Sequence, residues 1–151
     1  MSMKQTNLMI ACVLVLAGSA AAQKYTWRQC LDAIRITETG GSPNGGIGAI
    51  GDNGKAYGPY QIWKPYWQDS GVKGSHAHCL NSKAYSEKVI RGYMFRYAPR
   101  QLGRLMAGKG TLADVERVAR IHNGGPRGYK RKSTLRYWAK VRRNLIPKPR
   151  R

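Results

Sequence analysis

The fold is decided by the stretch from Glu38 to Ile62, which reads ETGGSPNGGIGAIGDNGKAYGPYQI. It holds Glu38 and Asp52, two of only seven acidic residues in the chain. Glycine-rich turns separate these carboxylates, and an aromatic segment follows them. Cleavage of a glycosidic bond needs one carboxylic acid to protonate the leaving oxygen and a second group to meet the positive sugar carbon. The stretch therefore predicts a cleft suited to sugar chemistry.

Glu38 is predicted at the carbonyl end of a helix that runs from Trp27 to Thr37, capped by Thr26 and ended by Gly40-Gly41. The carbonyl end of a helix is partly negative and disfavours a charged carboxylate, so Glu38 fits the role of proton donor. The alternative is an ordinary surface glutamate at a helix end, and the local pattern leaves both open.

Asp52 is predicted at the mouth of a β-hairpin, because Asn53-Gly54 between β-like segments indicates a type I′ turn. In such a solvated turn Asp52 is expected to stay ionised and to act as nucleophile or electrostatic stabiliser. Aspartate before Asn-Gly is also ordinary turn chemistry. Asp69 is the nearest substitute carboxylate if Asp52 points away from the cleft.

Further candidates for sugar binding are aromatic or polar. Five aromatic side chains lie between residues 57 and 67, and we predict that Tyr57 and Tyr60 face the cleft with Gln61 as polar companion. Core packing is the alternative. His122 is either a core or capping histidine or a cleft residue. The backbone of Asn123-Gly124-Gly125 can pair with the N-acetyl group of a sugar.

Helical spacing of apolar residues predicts three more helices, at about 84–97, from Thr111 to Ile121, and about 133–145. In each of these helices one face is predicted to point toward the core. The predicted core residues are, in the helix at 84–97, Val89, Ile90, Tyr93, Met94 and Tyr97; in the helix from Thr111, Val115, Val118, Ala119 and His122; and in the helix at 133–145, Leu135, Trp138, Val141 and Leu145.

Residues 1–22 are predicted to be a secretory signal peptide cleaved after Ala22, since the apolar run is too short for a membrane anchor. Residues 23–146 then form one extracellular domain, and 147–151 a disordered basic tail. Outside the cell, Cys30 and Cys79 most simply form a disulfide, with two free thiols as the alternative.

The net charge of +20 predicts polyanionic partners such as bacterial wall polymers or anionic lipid. No motif would place a helix or an aromatic sheet on bases, so no specific nucleic acid is expected. No His/Cys cluster has metal-ligand spacing, and we predict neither metal nor cofactor. A monomer is expected.

Three blocks occur in a fixed order along the chain. They are Cys30-Leu31 with TETG at 37–40, YGPYQI at 57–62 with KPYW at 64–67, and ARIHNGGPRG at 119–128 with Ser133-Thr134-Leu135 and Tyr137-Trp138. In these blocks the chain resembles the invertebrate-type (i-type) lysozymes. Those lysozymes are cysteine-rich, so this chain resembles a disulfide-poor relative.

The resemblance implies a lysozyme-like α+β fold, mostly helical, with a small antiparallel hairpin flanking the cleft. It implies a muramidase that hydrolyses the β-1,4 bonds of bacterial peptidoglycan. By position Glu38 matches the family's acid, and Asp52 its second carboxylate. Two other functions stay open: lytic transglycosylase-like cleavage with Glu38 alone, and a non-enzymatic cationic antibacterial binder.

Overall fold

The structure is a computed structural model that describes residues 22–145. Residues 1–21 of the predicted signal peptide and the predicted tail at 147–151 lie outside this range. The described helices and strands are, in chain order, α1 (Trp27–Thr39), β1 (Ile50–Gly51), β2 (Ala56–Tyr57), β3 (Ile62–Trp63), α2 (Lys64–Asp69), α3 (His78–Asn81), α4 (Lys83–Tyr97), α5 (Pro99–Met106), α6 (Leu112–Gly124) and α7 (Leu135–Leu145). The predicted α+β class, mostly helical with a small antiparallel sheet, is confirmed.

The sheet is a short antiparallel meander in the order β1-β2-β3, in which Tyr57 pairs with both Ile50 and Ile62. Asn53 and Gly54 have φ angles of 55° and 86°, and the Lys55 N–H donates to the Asp52 carbonyl at 3.3 Å. These are the features of the predicted type I′ turn. Asp52 itself also has a positive φ of 47°, a conformation that aspartate tolerates.

Helices α1 and α6 begin where the sequence predicts, because side chains satisfy their first backbone N–H groups. Thr26 with Gln29 and Thr111 with Asp114 form capping boxes at the starts of α1 and α6. α1 continues two residues beyond the predicted end and stops at Gly40, whose φ is 61°. Glu38 therefore lies in the last turn of α1. The prediction contained no helix at α5.

One core joins the helices, and α1 packs most extensively on α7. The predicted inward faces of α4 and α6 are buried, except that Tyr97 is only half-buried at the edge. Leu135 was predicted to point inward but is 45% exposed. Among residues 22–145 no helix has the length and apolar character needed to cross a bilayer.

The structure contradicts the predicted disulfide, because Cys30 and Cys79 are both free and fully buried. Cys30 lies in α1 and Cys79 in α3, and each of these helices packs against the Gly58–Tyr60 turn. Each thiol is thus enclosed as a small apolar side chain of the core. Free buried cysteine commonly plays this part.

Candidate active site

A cleft of about 430 Å³ lies between the end of α1, the sheet, α2 and the loop after α6. Of the candidate residues named from the sequence it is lined by Glu38, Asp52, the substitute carboxylate Asp69, Gln61, His122, Asn123 and Gly125. A second groove of about 480 Å³ continues from Glu38 and Gln61 along the glycine-rich loop to Ile50. Glu38 and Gln61 line both grooves, so they stand where the two meet.

Glu38 is held in the cleft beside Tyr137 and His122. Its side chain is 18% exposed, and the Tyr137 hydroxyl donates to its Oε1 at 2.6 Å. The Nε2 atom of His122 lies 3.6 Å from the same oxygen. Glu38 is therefore neither turned out into bulk water nor sealed in the core, which places its carboxyl within reach of a bound molecule.

Glu38 and Asp52 differ from the other five carboxylates in their ion pairing. Each of the other five forms a salt bridge with Arg or Lys; these are Asp32, Asp69, Glu87, Asp114 and Glu116. Glu38 and Asp52 have no such partner within the described part of the chain, although the protein contains 27 Lys and Arg residues. The two carboxylates without a cationic partner are the two that sequence reasoning selected, and both line the cleft.

Asp52 is exposed at the hairpin, and its Oδ2 accepts a hydrogen bond from the Trp63 Nε1–H at 3.0 Å. The indole ring of Trp63 is 41% exposed, and the Lys55 ammonium lies 5.6 Å from its centre. Glu38 and Asp52 thus each accept a hydrogen bond from a neutral aromatic donor. An exposed indole also offers a flat apolar face on which a sugar ring can stack.

His122 is buried under the cleft, and its hydrogen bonds define which ring nitrogen carries a proton. Nε2 lies 3.1 Å from the Tyr60 carbonyl oxygen, which can only accept, so Nε2 carries the proton. Nδ1 lies 3.2 Å from the Tyr66 hydroxyl. His122 therefore presents an N–H edge toward Glu38.

Backbone geometry places Gln61 at the point where the two grooves meet. It has a left-handed φ of 49°, and its Nε2 donates to the Gly58 carbonyl at 3.0 Å. Its side chain crosses Gly51, where an added Cβ would lie 2.1 Å from the Gln61 Oε1. Only glycine leaves room for the amide there.

Three predicted substrate-binding residues are not among those that line the cleft. The Tyr60 ring is fully buried and its hydroxyl bonds to Glu87, so the ring does not reach the cleft. The Tyr57 ring stacks on His76 with centroids 4.3 Å apart. On Gly124 an added Cβ would lie 2.5 Å from the Cγ2 of Thr134. Pairing of the Gly124 backbone with a sugar stays a prediction, whereas the predicted orientation of the Tyr57 and Tyr60 rings is wrong.

A family model for the destabilases matches residues 27–144. The chain belongs to the destabilase family. Relatives include a lysozyme of Magallana gigas, 39% identical over 117 residues that cover 74% of this chain and 75% of that protein. Invertebrate-type lysozyme 3 of Caenorhabditis elegans is 32% identical over 126 residues, covering 78% and 85%. These relatives confirm the predicted resemblance.

Solved structures agree with this placement in the destabilase family. The crystal structure of Tapes japonica lysozyme superposes with a TM-score of 0.60 at 34% identity, covering 80% of this chain and 91% of that one. Meretrix lusoria lysozyme, crystallised with Aeromonas hydrophila PliI, gives 0.61 at 32% identity, covering 81% and 93%. The fold is lysozyme-like, and the chain is a glycoside hydrolase of the lysozyme type.

Sequence reasoning missed several residues of this destabilase-family cleft. Trp63, Tyr66 and Tyr93 line it, although the prediction selected Tyr57 and Tyr60 from the same aromatic cluster. Tyr137 lies 99 positions from Glu38 and carried no signal beyond its place in the third family block. No group of three His, Cys, Asp or Glu that could hold a metal ion occurs in residues 22–145.

Proposed function

We propose that this destabilase-family enzyme is a muramidase that hydrolyses the β-1,4 glycosidic bonds of bacterial peptidoglycan. Glu38 is the general acid and then the general base, and Asp52 is the second carboxylate. One observation carries this assignment: the two carboxylates that no Lys or Arg within residues 22–145 neutralises both line the same cleft. An acid that must give up a proton and a carboxylate that must meet positive charge both need to be free of a competing cation.

In the first step Glu38 gives its proton to the bridging oxygen, and the bond from that oxygen to the anomeric carbon breaks. Positive charge develops on the sugar, and Asp52 stabilises it or attacks the carbon. Glu38, now a carboxylate, then takes a proton from water, and that water adds to the anomeric carbon. The acid is regenerated at the end of the cycle.

The presence of two adjoining grooves favours a polymeric substrate. A glycan strand lying through both would pass Glu38 and Gln61 where the grooves meet, with sugars on either side of the acid. On the aromatic side Trp63 offers a stacking face, while Asn123 and Gly125 line the wall where an N-acetyl group could bind. His122 contributes its buried N–H edge behind the acid. Gly124 contributes only through its backbone.

Product analysis tests the reaction type. Hydrolysis leaves new reducing ends on glycan strands, whereas a lytic transglycosylase leaves 1,6-anhydromuramic ends. We expect reducing ends, because Asp52 is present in the cleft and free of a cation. If mass spectrometry of digested peptidoglycan finds only anhydro ends, the hydrolytic mechanism is wrong and the single-carboxyl alternative replaces it.

Charge distribution supports binding to anionic bacterial surfaces by a secreted protein. From residue 117 to residue 151 the sequence contains 13 Lys and Arg residues and no Asp or Glu. This basic segment includes the wall of the cleft at Asn123–Pro126. Attraction of this kind is screened by salt. We therefore expect 0.5 M NaCl to weaken binding to whole bacteria while cleavage of a soluble neutral glycan is kept.

That salt test also separates the enzyme from a purely cationic binder. If killing of bacteria survives Glu38→Gln and is abolished by salt, the antibacterial effect comes from charge alone. If Glu38→Gln abolishes both lysis and killing at low salt, cleavage is required and charge only assists. We expect the second result.

A further inference from the structure

Tyr137 contacts the proposed acid from a different helix. Its hydroxyl donates to Oε1 of Glu38 at 2.6 Å. This oxygen–oxygen distance is short, as is typical when a hydroxyl donates to a charged oxygen. Burial, together with the nearby Glu38 carboxylate, raises the pKa of the Tyr137 hydroxyl well above its ordinary value. The hydroxyl thus keeps its proton and remains a donor.

The two oxygens of Glu38 have different surroundings. Oε1 accepts from Tyr137 and also lies 3.6 Å from the Nε2 of His122. Within residues 22–145 no side chain or backbone group hydrogen-bonds Oε2. A proton on Oε1 would compete with the Tyr137 donor, whereas Oε2 is free to carry one. The contact with Tyr137 therefore makes the two oxygens inequivalent.

We propose that Tyr137 is a positioning residue that directs the catalytic proton of Glu38 to Oε2 and stabilises the carboxylate left behind. The inference rests on the proposed function, since it assumes that Glu38 is the acid. As the proton moves to the bridging oxygen, negative charge grows on Glu38 and the hydrogen bond from Tyr137 strengthens. An interaction that is stronger in the transition state than in the ground state accelerates the step.

Other groups that face Glu38 come from α6, α2 and the hairpin. From α6 the cleft receives His122, and from α2 it receives Tyr66, whose hydroxyl is turned to the Nδ1 of His122. Asp52 and Asp69 line the same cleft from the hairpin and from α2. In the described structure Tyr137 is the group that donates a short hydrogen bond to the acid.

The molecule supplies a matched control for the loss of this hydroxyl. Tyr60 also donates to a glutamate, Oε1 of Glu87, at 2.6 Å, but that pair is not part of the cleft. Tyr137→Phe and Tyr60→Phe each remove one hydroxyl and one short hydrogen bond to a carboxylate. α7 remains tied to α1 in the first variant, since the Asn144 Nδ2–H group donates to the Thr37 hydroxyl at 2.9 Å.

The experiment compares kcat, KM and the pH profile of both variants on soluble glycan strands released from peptidoglycan. We expect Tyr137→Phe to lower kcat about 10- to 100-fold, the value of one hydrogen bond to a charged group, with KM within about twofold of wild type. Loss of a donor disfavours the Glu38 carboxylate. The acid then stays protonated to higher pH, and the alkaline limb of the kcat profile moves upward.

Tyr60→Phe keeps the backbone carbonyl that His122 contacts, so it should leave kcat and the profile unchanged and lower only the melting temperature. The inference is overturned if Tyr137→Phe keeps wild-type kcat and an unmoved alkaline limb, or if Tyr60→Phe lowers kcat equally. Failure of the proposed function looks different, because Glu38→Gln would then retain activity. An inactive Glu38→Gln beside an unaffected Tyr137→Phe rejects the positioning role alone.

Discussion

Two tyrosine–glutamate pairs in this molecule have the same hydrogen-bond length, but only one of the two glutamates is also paired with an arginine. Tyr60 donates to Glu87 and Tyr137 donates to Glu38, both at 2.6 Å. Arg28 also binds Glu87 through both carboxylate oxygens, at 2.8 and 2.9 Å, whereas no Lys or Arg in residues 22–145 pairs with Glu38. The same contact thus belongs to a balanced ion pair in one place and to an uncompensated carboxyl in the other.

The difference shows how an arginine partner fixes one carboxylate of this very basic protein as an anion. Burial acts to raise the pKa of Glu87, but hydrogen bonds from Arg28 and Tyr60 outweigh it and lower that pKa. Such a group is a fixed anion that holds α1, α4 and the Gly58–Tyr60 turn together. Glu38, the proposed acid, has the same short tyrosine contact without an arginine.

The largest expected effect separates the two glutamates directly. Glu38→Gln should lower kcat about 100- to 10,000-fold, the usual contribution of a general acid, and should melt near the wild-type temperature. Glu87→Gln should keep kcat and melt at a lower temperature, because Arg28 loses its partner. Turbidity clearing of peptidoglycan and thermal melts measure both. Wild-type clearing by Glu38→Gln would contradict the comparison.

The next effect concerns Asp52, the other carboxylate without a cation. Asp52→Asn should lower kcat at least about tenfold if the carboxylate stabilises or attacks the anomeric carbon. Asp32→Asn is the matched control, since Asp32 is paired with Arg28 and Arg35 outside the cleft. A mild loss from Asp52→Asn would favour cleavage with Glu38 alone.

A smaller effect is expected from Trp63, which holds Asp52 as Tyr137 holds Glu38. Trp63→Phe keeps an aromatic face but removes the N–H that donates to Asp52 at 3.0 Å. We expect kcat to fall about three- to tenfold, less than for Tyr137→Phe, because this pair is exposed to water. Equal losses in the two variants would show that burial of the donor does not matter.

The smallest effect is on stability as a function of pH. Arg104 lowers the pKa of Asp114 to about 2 against the opposing effect of burial, with Thr111 adding to the shift. A lowered folded-state pKa gives stability that is present above the unfolded value and lost as pH falls through the folded one. The melting temperature should therefore fall between about pH 4 and pH 2. Arg104→Gln should melt a few degrees lower at pH 7 and show a shallower acid decline.

Local sequence patterns predicted the features that depend on neighbouring residues. The capping boxes, the type I′ turn and the positions of Glu38 and Asp52 follow from side chains within a few positions of one another. Tyr60 was misplaced because a 3-10 turn between Gly58 and Gln61, both with positive φ, directs its ring into the core. An extended conformation, which the sequence pattern suggested for this segment, would point the Tyr60 ring in a different direction.

Local sequence patterns could not predict contacts between residues that lie far apart along the chain. The hydroxyl of Tyr137 meets Glu38 only because α7 packs on α1, and Leu135 is exposed because α7 begins there, at the edge of the core. The disulfide prediction used the extracellular compartment and the two cysteines that remain once the predicted signal peptide, which contains Cys12, is removed. Neither reports whether two thiols face each other, and here each is enclosed separately.

The enclosed cysteines have a practical consequence. Burial raises the pKa of Cys79 to about 11 and that of Cys30 further, so both sulfurs stay as unreactive thiols at neutral pH. Because neither cysteine in residues 22–145 forms a cross-link, folding of this part of the chain requires no oxidant. The enzyme should remain intact in reducing surroundings, and a bacterial cytoplasm or dithiothreitol-containing buffer should yield the same active protein as an oxidising one.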